Sequence, residues 1–138
     1  MTSRHSLGVL RGAADDGRLD ALCDQLALDL VVVFGSVADP NVSSPMDLDI
    51  AVRFSPDANA DVVATTIAVS ELLGYDGIDV LDLRSADVVA RSRALGPPCI
   101  PLYERAPGIF ALAQMASLAE AMETAAMRRR DLELMARR

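Results

Sequence analysis

The sequence predicts a single α/β layer domain, with short β-branched strands between helices. Two observations predict it. Three apolar, β-rich runs, Leu30–Phe34, Leu48–Phe54 and Ile78–Leu83, are accompanied by segments with helical spacing before the first, between the second and third, and after the third. A chain of 138 residues is also the size of one domain. It can bury roughly 68% of its unfolded surface, enough for a core without staples.

The elements follow in order. Residues 1–15 are weakly patterned and predict a short helix over Ser6–Gly12. Leu19, Leu22, Cys23, Leu26 and Leu28 recur at helical spacing and predict a helix over Arg18–Leu28. Leu30–Phe34, ended by Gly35, reads as a buried strand. Asp39-Pro40-Asn41 and Ser43-Ser44-Pro45 are turn chemistry. Leu48–Phe54 alternates as a second strand. A loop at Pro56–Asn59 leads into a helix over Ala60–Leu73, and Ile78–Leu83 is the third strand. Ser85 is the expected N-cap of a helix that Gly96-Pro97-Pro98 stops near Leu95. Cys99–Tyr103 predicts a short edge strand. Pro107 opens a long Ala- and Met-rich helix over about 107–137.

Composition excludes several classes. No stretch approaches the ~18 apolar residues of a membrane span, and no leader pattern is visible, so a cytoplasmic protein without a membrane partner is expected. A net charge of −7 argues against direct nucleic-acid binding, which needs a basic surface. Cys23 and Cys99 sit in apolar settings and read as reduced core thiols. All thirteen basic residues are arginine. Arg128, Arg129, Arg130, Arg137 and Arg138 cluster at the end, where they either complement a helix dipole or meet an acidic or phosphate-bearing partner.

The chemistry lies in two short motifs and one distant acid. Gly35-Ser36 ends a strand, where glycine lets a ligand approach the main chain and the following N–H groups form an anion nest. In Asp47-Leu48-Asp49, a strand would place both carboxylates on one face. Side by side among apolar residues they repel, their pKa values rise, and a hard divalent cation relieves them. Mg²⁺ characteristically takes one or two carboxylates plus substrate phosphates. Asp79, in Ile78-Asp79-Val80, supplies a third acid from a strand that can lie beside the first pair. Three such carboxylates can hold two metals roughly 3.5–4 Å apart, the arrangement of in-line nucleotidyl displacement. Asp82 points the other way and reads as a solvated or capping residue.

Gly35-Ser36, ten intervening residues, Asp47-Leu48-Asp49 and the later Asp79 together resemble the minimal nucleotidyltransferase (MNT) family of the DNA polymerase β-type superfamily. The resemblance covers about residues 15–105. It implies an α/β (α+β) polymerase β-type core with a mixed three- to four-stranded sheet flanked by helices. It further implies that Gly35 and Ser36 hold the β- and γ-phosphates of ATP. Asp47 and Asp49 would ligate both Mg²⁺ ions, and Asp79 would complete the catalytic metal site and help deprotonate the acceptor. The implied partner is a HEPN-type ribonuclease toxin whose tyrosine receives AMP, making this chain the antitoxin of a toxin-antitoxin pair. A small-molecule, aminoglycoside-like enzyme and a non-catalytic antitoxin acting by occlusion are the alternatives. The oligomeric state stays open, an oligomer included.

Two departures from that family stand out. Where an Arg followed by Gly commonly comes soon after the Gly-Ser, this chain has Val37-Ala38-Asp39-Pro40, and Met46 stands where a small Ser often precedes the first Asp. His5 lies in the weakly patterned arm. Tyr75 and Tyr103 read as packing residues, Tyr103 with the option of stacking on a base. Met115, Met122, Met127 and Met135, with Leu112, Ala119 and Ala126, form an apolar stripe whose default use is core packing. The other use is a soft partner-binding face.

Overall fold

The computed structural model describes residues 2–137. Along the chain run α1 (Ser3–Asp16), α2 (Arg18–Leu26), β1 (Leu28–Phe34), a 3₁₀ turn (Ser36–Ala38) and β2 (Leu48–Phe54). Then come α3 (Val62–Leu73), β3 (Ile78–Asp82), α4 (Val88–Leu95), β4 (Cys99–Glu104) and α5 (Ile109–Ala136). The strands form one mixed sheet in the order β3-β2-β1-β4. β1 is antiparallel to β2 and β4, whereas β2 and β3 are parallel. A parallel pair needs a long crossover, and α3 provides it. The expected α+β architecture with a mixed sheet and a long last helix is therefore present, with four strands and β4 at an edge.

Alternation along β1 divides the interior. Val31 and Val33 face one way, with Ile50 and Val52 of β2, and are covered by Leu7 and Leu10 of α1, Leu19 and Cys23 of α2, and Val69 and Leu73 of α3. Leu30, Val32 and Phe34 face the other way and meet Ala94 and Leu95 of α4 and Ile109, Phe110 and Ala113 at the start of α5. Because both faces are covered, all seven residues of β1 are buried.

Several boundaries correct the sequence reading, each for a physical reason. α1 is fourteen residues rather than the short helix over 6–12, and the Thr2 side chain caps it by accepting from the His5 N–H at 3.1 Å. Gly8 and Gly12 cost about 1 kcal/mol each in a helix interior, and burial of Leu7, Leu10 and Ala13 outweighs that. α2 ends two residues early, at Leu26, because Ala27 after it turns into the left-handed region with φ 57°. β1 then begins at Leu28 and runs through Asp29 because that carboxylate is paired. Arg105 Nε donates to it at 2.7 Å and Ser55 Oγ at 2.6 Å. Asp87, not Ser85, caps α4, accepting from Ala90 N–H at 2.8 Å. Asp82, read as a solvated or capping residue, accepts from the Arg84 N–H at 3.0 Å and so closes the turn after β3 without capping a helix. Gly108 precedes α5, so Pro107 lies outside the helix rather than opening it.

The largest correction concerns the methionine stripe, whose default reading was core packing. Along α5 only Ser117 is buried. Leu112 is 69% exposed, Met115 66% and Met122 65%. The helix outruns the sheet: its first turns cover Phe34 and its neighbours, and the remainder has no strand beneath it. Tyr75 and Tyr103 pack against the larger core, as expected. Cys23 is buried, Cys99 half-buried, and neither is disulfide-bonded. Among the described residues, no helix is long and apolar enough to cross a membrane.

Candidate nucleotide-binding site

The site forms where β1 ends. Gly35 has φ 74° and ψ −157°, a conformation essentially reserved for glycine. The cause lies across the sheet. Phe34 pairs with Asp49 in β2, and a Cβ on Gly35 would lie 3.2 Å from the Asp49 Cγ and overlap its Oδ2. Glycine thus lets the main chain pass directly beside a carboxylate. Ser36 then opens the 3₁₀ turn, in which Ala38 N–H donates to Gly35 O at 3.1 Å and Asp39 N–H to Ser36 O at 3.2 Å.

Asp49 is set directly opposite Asp79 by the parallel register of β2 and β3. Opposed residues share a face of the sheet, here the face of Phe34, α4 and α5. Asp47 lies in the bend just before β2 rather than on the strand itself. The two-residue strand period therefore does not place it, yet its charge still reaches Asp49. Asp47 and Asp79 are exposed and Asp49 is half-buried. Burial, and next the charge of Asp79, push the Asp49 carboxyl above its ordinary value; Arg93 pulls it down and Asp47 adds a smaller upward push.

Among the described residues, no group of three or more His, Cys, Asp or Glu side chains is drawn together tightly enough to enclose a metal ion. The acids form an opposed pair, Asp49 and Asp79, with Asp47 beyond the strand end. An all-carboxylate donor set of this kind suits a hard cation that takes part of its shell from phosphate and water.

Arg93 was missed by the sequence reading. It lies in the last turn of α4, with its guanidinium carbon 5.9 Å from the centroid of the Phe34 ring. With Gly35, Ser36, Asp39, Gly96 and Pro97 it lines a cleft of about 300 Å³. No local motif marks position 93. Only the docking of α4 beside the end of β1 brings it there. Asp39 also lines this cleft, its carboxylate accepting from the Asn41 N–H at 2.9 Å. Arg4 of α1 secures the same loop by donating to the carbonyls of Asp39 and Val42. His5 is exposed on α1, and Tyr103 pairs with Val31 in the middle of β1, away from the acids, so it is not placed to stack on a base there. A second, mostly apolar groove of about 380 Å³ lies between α4 and α5, lined by Leu95, Gln114, Met115 and Leu118.

A glycine-ended strand thus lies beside two opposed aspartates, on a mixed sheet with a crossover helix. No protein-family model and no curated protein matches the chain. Solved structures do match it. One is a chain of the tri-AMPylated Shewanella oneidensis HEPN toxin in complex with MNT antitoxin. It is 21% identical, with a TM-score of 0.63 over 89% of this chain and 96% of that one. Another is a chain of a toxin-antitoxin complex with AMP-PNP, at 20% identity, a TM-score of 0.65, and coverage of 85% and 94%. A third, from the toxin-antitoxin MntA-HepT, has 21% identity, a TM-score of 0.62 and coverage of 88% and 96%. At these identities what is shared is the fold, along nearly the whole of both chains.

Proposed function

We propose that this protein is a minimal nucleotidyltransferase that transfers AMP from Mg²⁺-bound ATP to a hydroxyl of a HEPN-type ribonuclease toxin, as the antitoxin of that pair. The observation that carries the chemistry is the direct opposition of Asp49 and Asp79 beside Gly35. Two carboxylates at one register position raise the free energy of the metal-free site, and Mg²⁺ relieves this while bringing a triphosphate with it. The fold shared with toxin-bound MNT proteins supports the choice of partner, and so does the unpartnered apolar face of α5.

In this reading Asp47, Asp49 and Asp79 are the metal ligands, and bound Mg²⁺ would neutralise phosphate charge and polarise the α-phosphate. The Gly35-Ser36 turn holds the β- and γ-phosphates with its backbone N–H groups and the Ser36 hydroxyl. Asp79, exposed at the open side, accepts the proton of the incoming hydroxyl. That oxygen attacks the α-phosphorus in line, the bond to the bridging oxygen breaks, and pyrophosphate departs with the electron pair.

The test uses purified protein, Mg²⁺, α-labelled ATP and a HEPN-type toxin co-expressed with it. Label on the toxin is expected, and its loss in the Asp47→Ala/Asp49→Ala double variant. Label transfer that survived both substitutions would rule out carboxylate-held metal. A stable complex without any labelling would favour inhibition by occlusion, the reading that the exposed α5 face also fits.

A further inference from the structure

We propose that Arg93 is the side chain that binds the triphosphate of the nucleotide, entering the cleft from α4 and supplying the positive charge that the Gly35-Ser36 loop itself lacks. This deepens the nucleotidyl-transfer reading and rests on it. A nucleoside triphosphate brings several negative charges, and main-chain N–H groups at a single turn offset only part of them. The loop after Ser36 contributes Val37 and Ala38, both buried, and then an acid, Asp39. Of the side chains lining the cleft, Arg93 alone carries positive charge, and Asp39 opposes it.

The position of Arg93 is suited to this role in three respects. It stacks over Phe34, the residue immediately before Gly35, so the ring limits where the guanidinium can go. It is exposed and is not one of the arginines held in an ion pair, unlike its neighbour Arg91, which is taken up by Glu120 and the Ala86 carbonyl. It lines the same cleft as Gly35 and Ser36, and its charge favours the ionised form of Asp49. A planar guanidinium there can donate two parallel hydrogen bonds to phosphate oxygens, which a lysine ammonium matches in charge but not in geometry. Asp39 works against this binding. It is tied into its own turn by the Asn41 N–H, which keeps part of its charge occupied.

The test is equilibrium binding by calorimetry, in Mg²⁺, of ATP, inorganic tripolyphosphate and adenosine to the intact protein and its variants. Arg93→Ala is expected to weaken ATP and tripolyphosphate by about 10- to 100-fold, the range for losing a charge-assisted hydrogen-bonding partner. Adenosine binding should not change. Arg93→Lys should recover part of the loss, and Asp39→Asn should tighten both phosphate ligands severalfold. Arg93 is exposed on a helix end, so the variants should fold; the Arg93→Lys and Asp39→Asn arms decide the matter even if Arg93→Ala does not. ATP bound equally by the wild type and Arg93→Ala, or Asp39→Asn leaving both phosphate ligands unmoved, overturns the role of Arg93 while the nucleotidyl-transfer reading stands. A wild type that binds neither ATP nor tripolyphosphate overturns that reading, and this inference with it.

Discussion

The two ends of the sheet each hold a desolvated aspartate, and their surroundings are opposite. Asp29, near the start of β1, is buried, and its burial alone would raise its pKa. Hydrogen bonds from Ser55 and Arg105 outweigh that and hold the carboxyl below its ordinary value of 3.8. Arg53 stands further off, at 3.9 Å. Arg105 also donates from its main chain to Asp29 O at 2.9 Å and from its guanidinium to Leu28 O at 3.1 Å, so this acid fastens the end of β4 to the start of β1. Asp49, near the start of β2 and opposite the other end of β1, is less buried. It faces another aspartate across the register and is held above 3.8. One acid has been given partners. The other faces a competitor, and that repulsion is what the proposed cation would relieve.

The contrast is broken most sharply by Asp49→Asn. It should lower transfer to the toxin by more than about 10³-fold, the scale of losing a centre of transition-state charge stabilisation. In metal-free protein the same substitution should raise the melting temperature, because an uncompensated charge is removed. A melting temperature that fell, measured by calorimetry without metal, would place Asp49 among the structural acids with Asp29.

The reverse change is Asp29→Ala, which should cost about 1–3 kcal/mol in urea unfolding, since Arg105 and Ser55 lose their acceptor. Transfer per folded molecule should stay unchanged, as the substitution lies at the opposite end of β1. A loss of activity beyond the loss of folded protein would show that the two ends are coupled.

A smaller effect separates the two acids by pH. Asp29 has a lowered folded pKa, so its contribution is complete above the unfolded value near 4 and is lost as pH falls through the folded one. Asp49 has a raised folded pKa, so its ionisation costs stability at neutral pH, and that cost disappears as pH falls through the folded pKa toward 4. The stability gap between wild type and Asp49→Asn should therefore narrow during acidification from pH 7 to about 4, before the Asp29 contribution begins to fail. Millimolar Mg²⁺ at pH 7 should narrow the same gap by raising the wild type alone. A gap indifferent to both proton and metal would mean that the opposed carboxylates do not repel.

Local signals explain why some of this was legible beforehand. β2 occupies Leu48–Phe54 as read, because the apolar residues Leu48, Ile50, Val52 and Phe54 recur every second position, the strand period. The turn contact of Asp82 follows from chemistry equally local, since a short acid beside a turn acts on its own backbone. Ser85 misled because Asp87 lies two residues further on and caps the helix from there. Asp29 concealed the first two residues of β1, since its partners Ser55 and Arg105 are 26 and 76 residues away in the chain. The α5 stripe misled because hydrophobic periodicity reports that a face is apolar, without reporting whether this chain covers it.

What the sequence determined by itself was the set of elements and the acids with their glycine, because periodicity, turn chemistry and motif spacing are properties of neighbours along the chain. Tertiary structure alone decided the pairing of Asp49 with Asp79, the displacement of Asp47 to the strand's approach, the exposure of α5 and the arrival of Arg93. Each of these depends on strand register or helix docking, and those are set by the collective burial of two sheet faces rather than by any local run of residues.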